Sequence, residues 1–580
     1  MQRRDGVSVL PLSVSSACAA TAASVSEASP DNLGLSVQAR FTTRRSASRL
    51  SAASVPFPLA DGSAAPINGF AIGVDLGRLR ATVLAMTPTR AWEWADHSLG
   101  LSSATPRRHL PGSGTGAHRG TYSRRLAAAA SLIILNLAAE GEPAAQILSL
   151  FLPRIFLRRD CEIPGQIHAL SMDSLPLPST QPARSAPDPI AAWCQRLLRA
   201  HAAQDARRAC QLALEGPDDN SIPAAEAAAA LDKLFPHKVA GELPLGAEAA
   251  LWYDASKAHI SSAPMPLVSA SNIVQWARRH KTKAADAGGW TGQLVVELHA
   301  TEPLTADALA RFWSLPPARF TDARARNFAF RENNGTLLRR EGKDPRPISA
   351  PNLPRKVISA TDARRARPAA AAFCESRDQL GLSRGGALLA YSILPRVIVE
   401  LGGTTCAADN AMSYQSFTRR GLLDGACALL SSPEATLNHP EATAAYARMM
   451  TTCVFDSETL SQRTSTTFHR LCETRVSHAL AQGCSSSPTA EAVTLASAPP
   501  QPVFPRAIRL SAHDDSQASG LPGCAIEAFA PPTSWGGAAY NTAKSIAVGP
   551  RANALVDRGY AAKAAPHSTV FGSPVGDVNA

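Results

Sequence analysis

Two short apolar segments in the last third of the chain lead into aspartates, and this arrangement constrains the fold more than any other feature. In the first, the run TTCAA leads into Asp409 and an amphipathic stretch follows. In the second, apolar and polar residues alternate over 508–512, just before Asp514 and Asp515. Alternation with a period of two is typical of a half-buried strand, and an amphipathic stretch is typical of a helix. The sequence therefore predicts an α+β fold in which strands deliver carboxylates at their ends.

Two more segments belong to the same set. Gln482 and Gly483 begin a Gly/Ser loop, and Pro488 stands where it can open a helix, because its missing N–H costs nothing in the first turn. Lys544 lies in a polar break before an apolar run. Taken alone, an Asp-Asp pair indicates little, since the pair in EGPDDNS at 218–219 is better interpreted as a loop or a helix start.

Carboxylates that converge from different strands are suited to hold hard cations. Mg²⁺ takes one or two carboxylates plus substrate phosphates and keeps several waters. Two such ions stabilise both the attacking and the leaving oxygen of an in-line displacement. We therefore expect Asp409, Asp514 and Asp515 to bind Mg²⁺, or Mn²⁺ in its place, for nucleotidyl transfer, with Lys544 assisting the departure of pyrophosphate.

In their order along the chain, these segments resemble the palm of retrotransposon reverse transcriptases, which are RNA-directed DNA polymerases. Asp409–Arg419 is similar to the first palm motif of that family, and the loop at 482–488 is similar to the second. Ala512–Asp515 stands where the family has its catalytic hairpin, and Lys544 stands where a lysine follows that hairpin. Val570–Gly576 resembles the segment that leads from palm toward thumb.

The resemblance continues upstream into the fingers. Gly335–Pro351 is predicted to form two short strands around a turn at Glu341–Asp344. Arg346 resembles the fingers arginine that approaches the incoming triphosphate, and a planar guanidinium suits phosphate because it binds bidentately. Gln379-Leu380-Gly381, followed by Gly385-Gly386, resembles the next fingers motif.

The same resemblance implies roles for the nucleotide-binding residues. Gln482 and Gly483 are expected to position the nucleotide, and Asn410 to lend its backbone carbonyl. Tyr414 is expected to be a steric gate that leaves no room for a 2′-hydroxyl, the group that distinguishes RNA from DNA. The alternative interpretation of Tyr414 is a core aromatic at the start of a helix.

The domain organisation expected from these features is a polymerase palm and fingers behind a helical extension. The expected units are a disordered leader at 1–65, an unassigned and partly helical region at 66–175, a helical extension at 190–300, fingers at 301–400 and a palm at 401–580. The apolar stretch Ser131–Leu157 is interrupted by charged residues and prolines, so it predicts one or two buried helices rather than a membrane span.

Charge and cysteine content favour an intracellular protein with a polyanionic partner. The net charge is +11, and residues 301–370 carry 14 Lys or Arg against 7 Asp or Glu, interleaved with aromatic residues. That pattern fits either a surface for phosphates and stacked bases or a cationic face over an ordinary core. The 11 cysteines include no CxxC pair, which favours reduced thiols in the nucleus or cytoplasm over a secreted protein. The expected partners are an RNA template, a DNA or RNA primer and dNTPs, with no membrane.

Two departures from the family keep other functions open. Ala512 replaces the usual aromatic residue of the hairpin, and the chain ends 36 residues after Lys544, so no thumb is expected. One alternative is a catalytically inactive, truncated remnant that binds nucleic acid, and another is an RNA-dependent RNA polymerase. One further alternative belongs to a different class of protein. Gly73–Gly77 resembles the first phosphate loop of sugar kinases, and the simpler interpretation of this segment is an ordinary strand and turn.

Overall fold

Most of the chain beyond residue 73 is described by the structure, which is a computed structural model. The described residues are 74–100, 110, 117–157, 162–175, 189–202, 206, 209–210, 213, 229–230, 247–262, 268–281, 283, 285–315, 319–330, 332–340, 343–411, 413–455, 460–464, 472–476, 480, 484–499, 507–513, 515–524, 539–565, 567–570 and 573–576. The leader expected at 1–65 lies outside them.

Helices make up the described chain as far as residue 330. They are α1 (Leu76–Ala85), α2 (Pro88–Gly100), α3 (Ala117–Glu140), α4 (Pro143–Ile155), α5 (Ile163–Ser171), α6 (Pro189–Ala202), α7 (Ala247–Ser262), α8 (Ala270–Arg279), α9 (Gly292–Thr301), α10 (Leu304–Trp313) and α11 (Ala323–Phe330).

The apolar stretch Ser131–Leu157 forms the end of α3 and all of α4, as the sequence predicts. Pro143 opens α4, and every residue from Ala144 to Ile155 is buried. No helix in the described part of the chain combines the length and the apolar character that crossing a membrane requires.

One hydrophobic core continues through the boundary that was expected at residue 300. It joins Trp94 of α2 and Phe151 of α4 to the aromatic residues of α10 and α11, so helices on both sides of 300 pack together. Four aromatic residues of the basic segment are buried in this core: Phe312, Trp313, Phe320 and Phe328. Of the two interpretations that the basic segment left open, the ordinary core beneath basic residues is therefore the correct one for these four side chains.

Where the phosphate loop of sugar kinases was considered, the structure begins a helix. Asp75 is the N-cap of α1, and its carboxylate accepts a hydrogen bond from the Arg78 N–H at 3.0 Å. A side-chain oxygen at the N-cap satisfies an N–H that has no partner within the helix. The end of this motif is therefore neither a phosphate loop nor a strand and turn.

A mixed sheet follows the helical region. Its strands are β1 (Glu332–Arg340), β2 (Lys343–Pro351), β4 (Leu460–Thr464) and β5 (Cys472–Val476), in the order β2-β1-β4-β5. The hairpin expected within Gly335–Pro351 is present as β1 and β2. Arg340 faces Lys343, so Lys343 and Asp344 belong to β2 and not to the expected turn.

The carboxylate of Asp286 connects the helical region to the long helix α12 (Leu353–Glu375) by hydrogen bonds. One carboxylate oxygen accepts a hydrogen bond from the Trp290 N–H and the other from the Leu353 N–H, each at 2.8 Å. Burial raises the pKa of Asp286, and the neighbouring charge of Lys356 opposes that shift. The start of α12 is thus fixed by a buried side chain from the preceding helical region.

The helices after α12 build a second core. They are α13 (Gly386–Leu388), α14 (Leu394–Glu400), α15 (Ser413–Ser416), α16 (Arg419–Leu430), α17 (Pro433–Thr436), α18 (Pro440–Met450), α19 (Ser487–Ala496) and α20 (Ala552–Asp557), with π-helical turns at Leu389–Ile393 and Thr451–Phe455. Members of α12, α16, α18 and α19 share one buried cluster that includes Phe373, Tyr446 and Val493.

A five-stranded sheet stands beside this second core. Its strands are β3 (Thr404–Ala411), β6 (Ala507–Ala512), β7 (Asp515–Gly520), β8 (Ala539–Val548) and β9 (Lys563–Ala565), in the order β6-β7-β3-β8-β9. All pairs are antiparallel except β8 with β9. A separate hairpin follows, formed by β10 (His567–Val570) and β11 (Ser573–Gly576). Segregated helices and mostly antiparallel strands confirm the α+β class.

The contact between α16 and α19 generates a stability prediction. A Cβ added to Gly425 would lie 2.8 Å from the Cα of Thr494, so Gly425→Ala must push the two helices apart. We expect a loss of about 1–3 kcal/mol in the free energy of unfolding, measured by denaturant unfolding. The control is Gly165→Ala in α5, where the added Cβ meets nothing within 4 Å. That change is expected to be neutral or to stabilise by up to about 1 kcal/mol, and equal effects of both changes would contradict the close contact.

Candidate functional site

The structure brings two of the predicted carboxylate residues to facing positions. In the antiparallel pairing of β3 with β7, Asp409 is directly opposite Asp515. Directly opposed residues of antiparallel strands have Cα atoms about 4.5–5.5 Å apart. Asp409 and Asp515 are more than a hundred residues apart in the sequence, and the pairing of β3 with β7 makes them neighbours. Asp514 lies outside the described residues.

A buried hydroxyl pair supports this register from within the sheet. Thr405 faces Ser519, both are fully buried, and their hydroxyl oxygens are 2.7 Å apart. Because residues of a strand alternate between the two faces, positions 405, 407 and 409 of β3 belong to one face. The facing aspartate positions are thus four residues along the same face from a hydrogen-bonded pair.

The opposite face of β3 is fixed by apolar packing. Cys406 is buried together with Ala547 of β8 and with Ala552 and Leu555 of α20. A slip of one residue would move this apolar set to the other face. The packing of α20 therefore stabilises the same register that aligns the carboxylate positions.

Lys544 lies in an irregular part of β8, beside the pairing partner of Asp409. Asp409 faces Asn541, whereas Ala407 faces Ile546, so residues 542–545 form a bulge in β8. Within it, the buried Ser545 hydroxyl donates to the Asn541 carbonyl at 2.9 Å, and Lys544 is exposed. Bulges are over-represented next to active sites, where they redirect a side chain. The lysine expected to assist the leaving group therefore lies within this bulge, three residues after Asn541, which faces Asp409.

The turn that joins β6 to β7 is held by residues to which the sequence assigned no catalytic role. His513 follows Ala512, the last residue of β6, and adopts a φ of 54°. The side chain of Gln379 hydrogen-bonds the backbone of His513. On α19, the buried carboxylate of Glu491 lies 3.7 Å from the Nδ1 of His513.

The sequence contains a weak signal for each of these two residues. Gln379 belongs to the segment that resembles a fingers motif, but its contact with the hairpin depends on the three-dimensional fold. Glu491 is the acidic residue in the otherwise small and apolar helix SPTAEAVTLA. A lone acid in such a helix indicates a specific partner, because carboxylates are seldom fully buried without one.

The described part of the Gly/Ser loop before α19 begins at Cys484, whose thiol is buried. Gln482 and Gly483 lie outside the described residues, and Pro488 stands in the first turn of α19 as predicted. The Cys484 sulfur is 3.0 Å from the Ser486 hydroxyl. A hydrogen bond from the Cys453 thiol lowers the pKa of Cys484.

Arg355 of α12 holds the backbone of Cys453, the residue whose thiol hydrogen-bonds Cys484. Its guanidinium donates to the Cys453 carbonyl at 2.7 Å and to the Phe330 carbonyl at 3.2 Å. Its positive charge also favours the ionised form of Cys484 and so contributes to the lowered pKa. Arg355 is buried, so it links the end of the first helical region, the π-helical turn after α18 and the loop. The described part of the loop is therefore connected to this buried cation through Cys453.

The remaining residues that the resemblance predicts to bind the nucleotide are dispersed over three elements. Tyr414 is half-buried on α15, where its ring packs against the second core and its carbonyl accepts from the Leu480 N–H at 2.7 Å. Asn410 of β3 faces Tyr540 of β8, and Arg346 of β2 faces Leu338 of β1. The side chains of Asn410 and Arg346 are outside those that the structure describes.

Within the described side chains, no group of three or more His, Cys, Asp or Glu residues could hold a metal ion. That set does not include the side chains of Asp409 and Asp515. In comparisons with known proteins, no family model matches the chain and no curated protein matches it significantly.

The buried hydroxyl pair behind the aspartates generates a prediction about coupling. We expect Thr405→Val and Ser519→Ala each to destabilise the protein by about 1–2 kcal/mol, because each removes a buried hydrogen bond. The double variant should cost less than the sum, by about 0.5–1.5 kcal/mol, since both changes remove the same bond. Denaturant unfolding of the four proteins measures this coupling.

Thr443→Val provides the matched control for this cycle. The Thr443 hydroxyl is equally buried, but it donates to the Ala435 carbonyl in the second core. Combined with Ser519→Ala, it should be additive. Coupling in this control pair, or additivity in the first pair, would contradict the register assigned to β3 and β7.

Proposed function

We propose that this protein is an RNA-directed DNA polymerase of retrotransposon type, a nucleotidyltransferase that uses Mg²⁺. The observation that carries the proposal is the register in which Asp409 faces Asp515 on neighbouring strands. Three further elements support the proposal. Along the chain they are the helix that follows β3, the loop and helix at Cys484–Ala496, and the hairpin of β6 and β7, which is the order of the palm motifs. The net charge of +11 suits an RNA template and primer.

The donor set at these strand ends fits a hard divalent ion. Asp409 and Asp515, with Asp514 adjacent in sequence, supply carboxylate oxygens, which are ligands that Mg²⁺ and Mn²⁺ prefer. Bound there, the ions supply charge stabilisation for the attacking and leaving oxygens. The proposed fingers and palm then correspond to the region from β1 onward.

The chain's own residues would orient the reactants. Arg346 would pair with the triphosphate of the incoming nucleotide, because a guanidinium binds phosphate oxygens bidentately. Gln482 and Gly483 would position the nucleotide over the primer end, and Asn410 would contribute its carbonyl. Lys544 would neutralise or protonate the departing pyrophosphate. Tyr414 would exclude a 2′-hydroxyl and so select dNTPs.

Primer extension on an RNA template with dNTPs and Mg²⁺ tests this proposal. We expect Asp409→Asn, Asp514→Asn and Asp515→Asn each to lower the rate by more than about 100-fold, since loss of a partner that only orients a metal ligand already costs 10–100-fold. The matched control is Asp424→Asn on α16, where an exposed aspartate pairs with Arg420 at 3.0 Å. This control should retain the wild-type rate, because exposed ion pairs contribute little.

Two results of that assay would oppose the proposal. Extension that survives Asp514→Asn and Asp409→Asn would show that these carboxylates do not catalyse it. A strong preference for rNTPs over dNTPs would instead favour an RNA-dependent RNA polymerase.

The second candidate function is that of a remnant that binds nucleic acid without catalysis, and Ala512 favours it. Ala512 of β6 stands opposite Asp515, where the resembling family has an aromatic side chain. RNA binding that weakens steeply with salt, together with no dNTP incorporation under any metal condition, would support this candidate over the first.

A further inference from the structure

The two-residue turn between β6 and β7 places His513 in a left-handed backbone conformation. His513 has a φ of 54°, in the left-handed region that non-glycine residues adopt infrequently. Asp515 begins β7 two residues later. Because the turn residue and the proposed metal-binding residues are so close in sequence, a change in the turn would move the hairpin carboxylates relative to Asp409.

Gln379 contacts this turn with both ends of its side-chain amide. Its Nε2 donates to the His513 carbonyl at 3.1 Å, and its Oε1 accepts from the His513 N–H at 3.0 Å. The same oxygen accepts from the Gly381 N–H at 3.0 Å, which fixes the orientation of the amide. Gln379 is 1% exposed, so these bonds are shielded from water. No aliphatic side chain can replace this pairing, because it requires a donor and an acceptor on one planar group.

Backbone hydrogen bonds extend the contact along β6. The Leu380 N–H donates to the Ser511 carbonyl at 2.6 Å, and the Ser511 N–H donates to the Asp378 carbonyl at 2.9 Å. A Cβ added to Gly381 would lie 2.6 Å from the His513 nitrogen, so this segment approaches the turn as closely as glycine permits. The segment at 378–381 therefore lies beside the end of β6 and forms one isolated parallel bridge with it, between Gln379 and Ser511.

The other side of the turn faces α19. Glu491 is fully buried, and its Oε2 lies 3.7 Å from the Nδ1 of His513. The turn is thus hydrogen-bonded through the His513 backbone to the segment after α12, and the His513 ring lies beside Glu491 of α19.

We propose that Gln379 is a positioning residue for the catalytic hairpin: its amide holds His513, and so sets the distance between the hairpin carboxylates and Asp409. This inference rests on the proposed function, because it concerns the geometry of that same site. Catalysis depends steeply on such geometry, and a misplacement of 1 Å can cost about 100-fold in rate. The contact would act on the chemical step and not on nucleotide affinity, since Gln379 holds the turn and not the substrate.

The test is primer extension by the full chain carrying Gln379→Glu. The two side chains have nearly the same shape, but an ionised carboxylate cannot donate to the His513 carbonyl. We expect kcat to fall by about 10- to 100-fold and the half-saturating Mg²⁺ concentration to rise several-fold, because the carboxylates that bind the metal are displaced. KM for dNTP should stay within about twofold, because Gln379 does not contact the nucleotide. Gly381→Ala should give the same pattern, since it displaces the same turn.

Gln146→Glu is the matched control. Gln146 is fully buried on α4 and donates to the Arg319 carbonyl at 2.9 Å, so the substitution makes the same chemical change in the other core. It is expected to lower stability without changing kcat or the response to Mg²⁺. A loss of kcat in Gln379→Glu and Gly381→Ala but not in Gln146→Glu, with KM for dNTP unchanged, supports the positioning role.

Different results would overturn the inference and the proposed function. Wild-type kcat and Mg²⁺ response in both Gln379→Glu and Gly381→Ala, or equal losses in Gln146→Glu, would overturn the positioning role and leave the polymerase intact. A wild-type protein that extends no primer and binds no Mn²⁺, measured by electron paramagnetic resonance, would overturn the proposed function and the positioning role with it.

Discussion

The antiparallel pairing of β3 with β7 is the constraint on which the rest of the site depends. This ladder sets Asp409 opposite Asp515, although β3 follows α14 and β7 belongs to the hairpin after α19. In a sheet with a period of two, a slip of one residue would send every side chain of β3 to the other face. The fully buried Thr405–Ser519 hydroxyl pair and the packing of Cys406 on α20 both oppose such a slip. The packing around Thr405 and Cys406 therefore fixes which residue of β7 lies opposite Asp409.

The helices hold this sheet by buried polar contacts as well as by apolar packing. Asp286 fixes the start of α12, and Arg355 in its first turn reaches the turn that precedes β4. At the other end of α12, the chain leads directly to Gln379 and the β6–β7 turn. Both ends of this one helix are therefore connected to the segments proposed to bind nucleotide and metal. Buried polar contacts of this kind specify a geometry more closely than apolar contacts do, because each donor needs its own acceptor.

Short-range patterns in the sequence predict the local elements, but they do not predict which elements meet. The strand before Asp409, the helix opened by Pro488 and the hairpin at 335–351 all follow from alternation or from proline position, and the structure contains them. The sequence could not assign the aromatic residues of the basic segment to a core or to a binding surface. A helix with arginine outside and phenylalanine inside has the same composition as a surface on which bases stack. The Gln379 contact was also beyond prediction, because it joins a loop to a turn more than a hundred residues away.

Disulfide trapping measures the central claim most directly. Facing positions of antiparallel strands have Cα separations of about 4.5–5.5 Å, within the range that a disulfide spans. The account predicts that the Asp409→Cys, Asp515→Cys double variant forms a cross-link on mild oxidation, identified by mass spectrometry of the joined peptides. It also predicts that Asp409→Cys combined with Gln517→Cys, the position facing Ala407, does not. A cross-link in the second variant but not in the first would show that β3 and β7 pair in another register, and the proposed metal site would be contradicted.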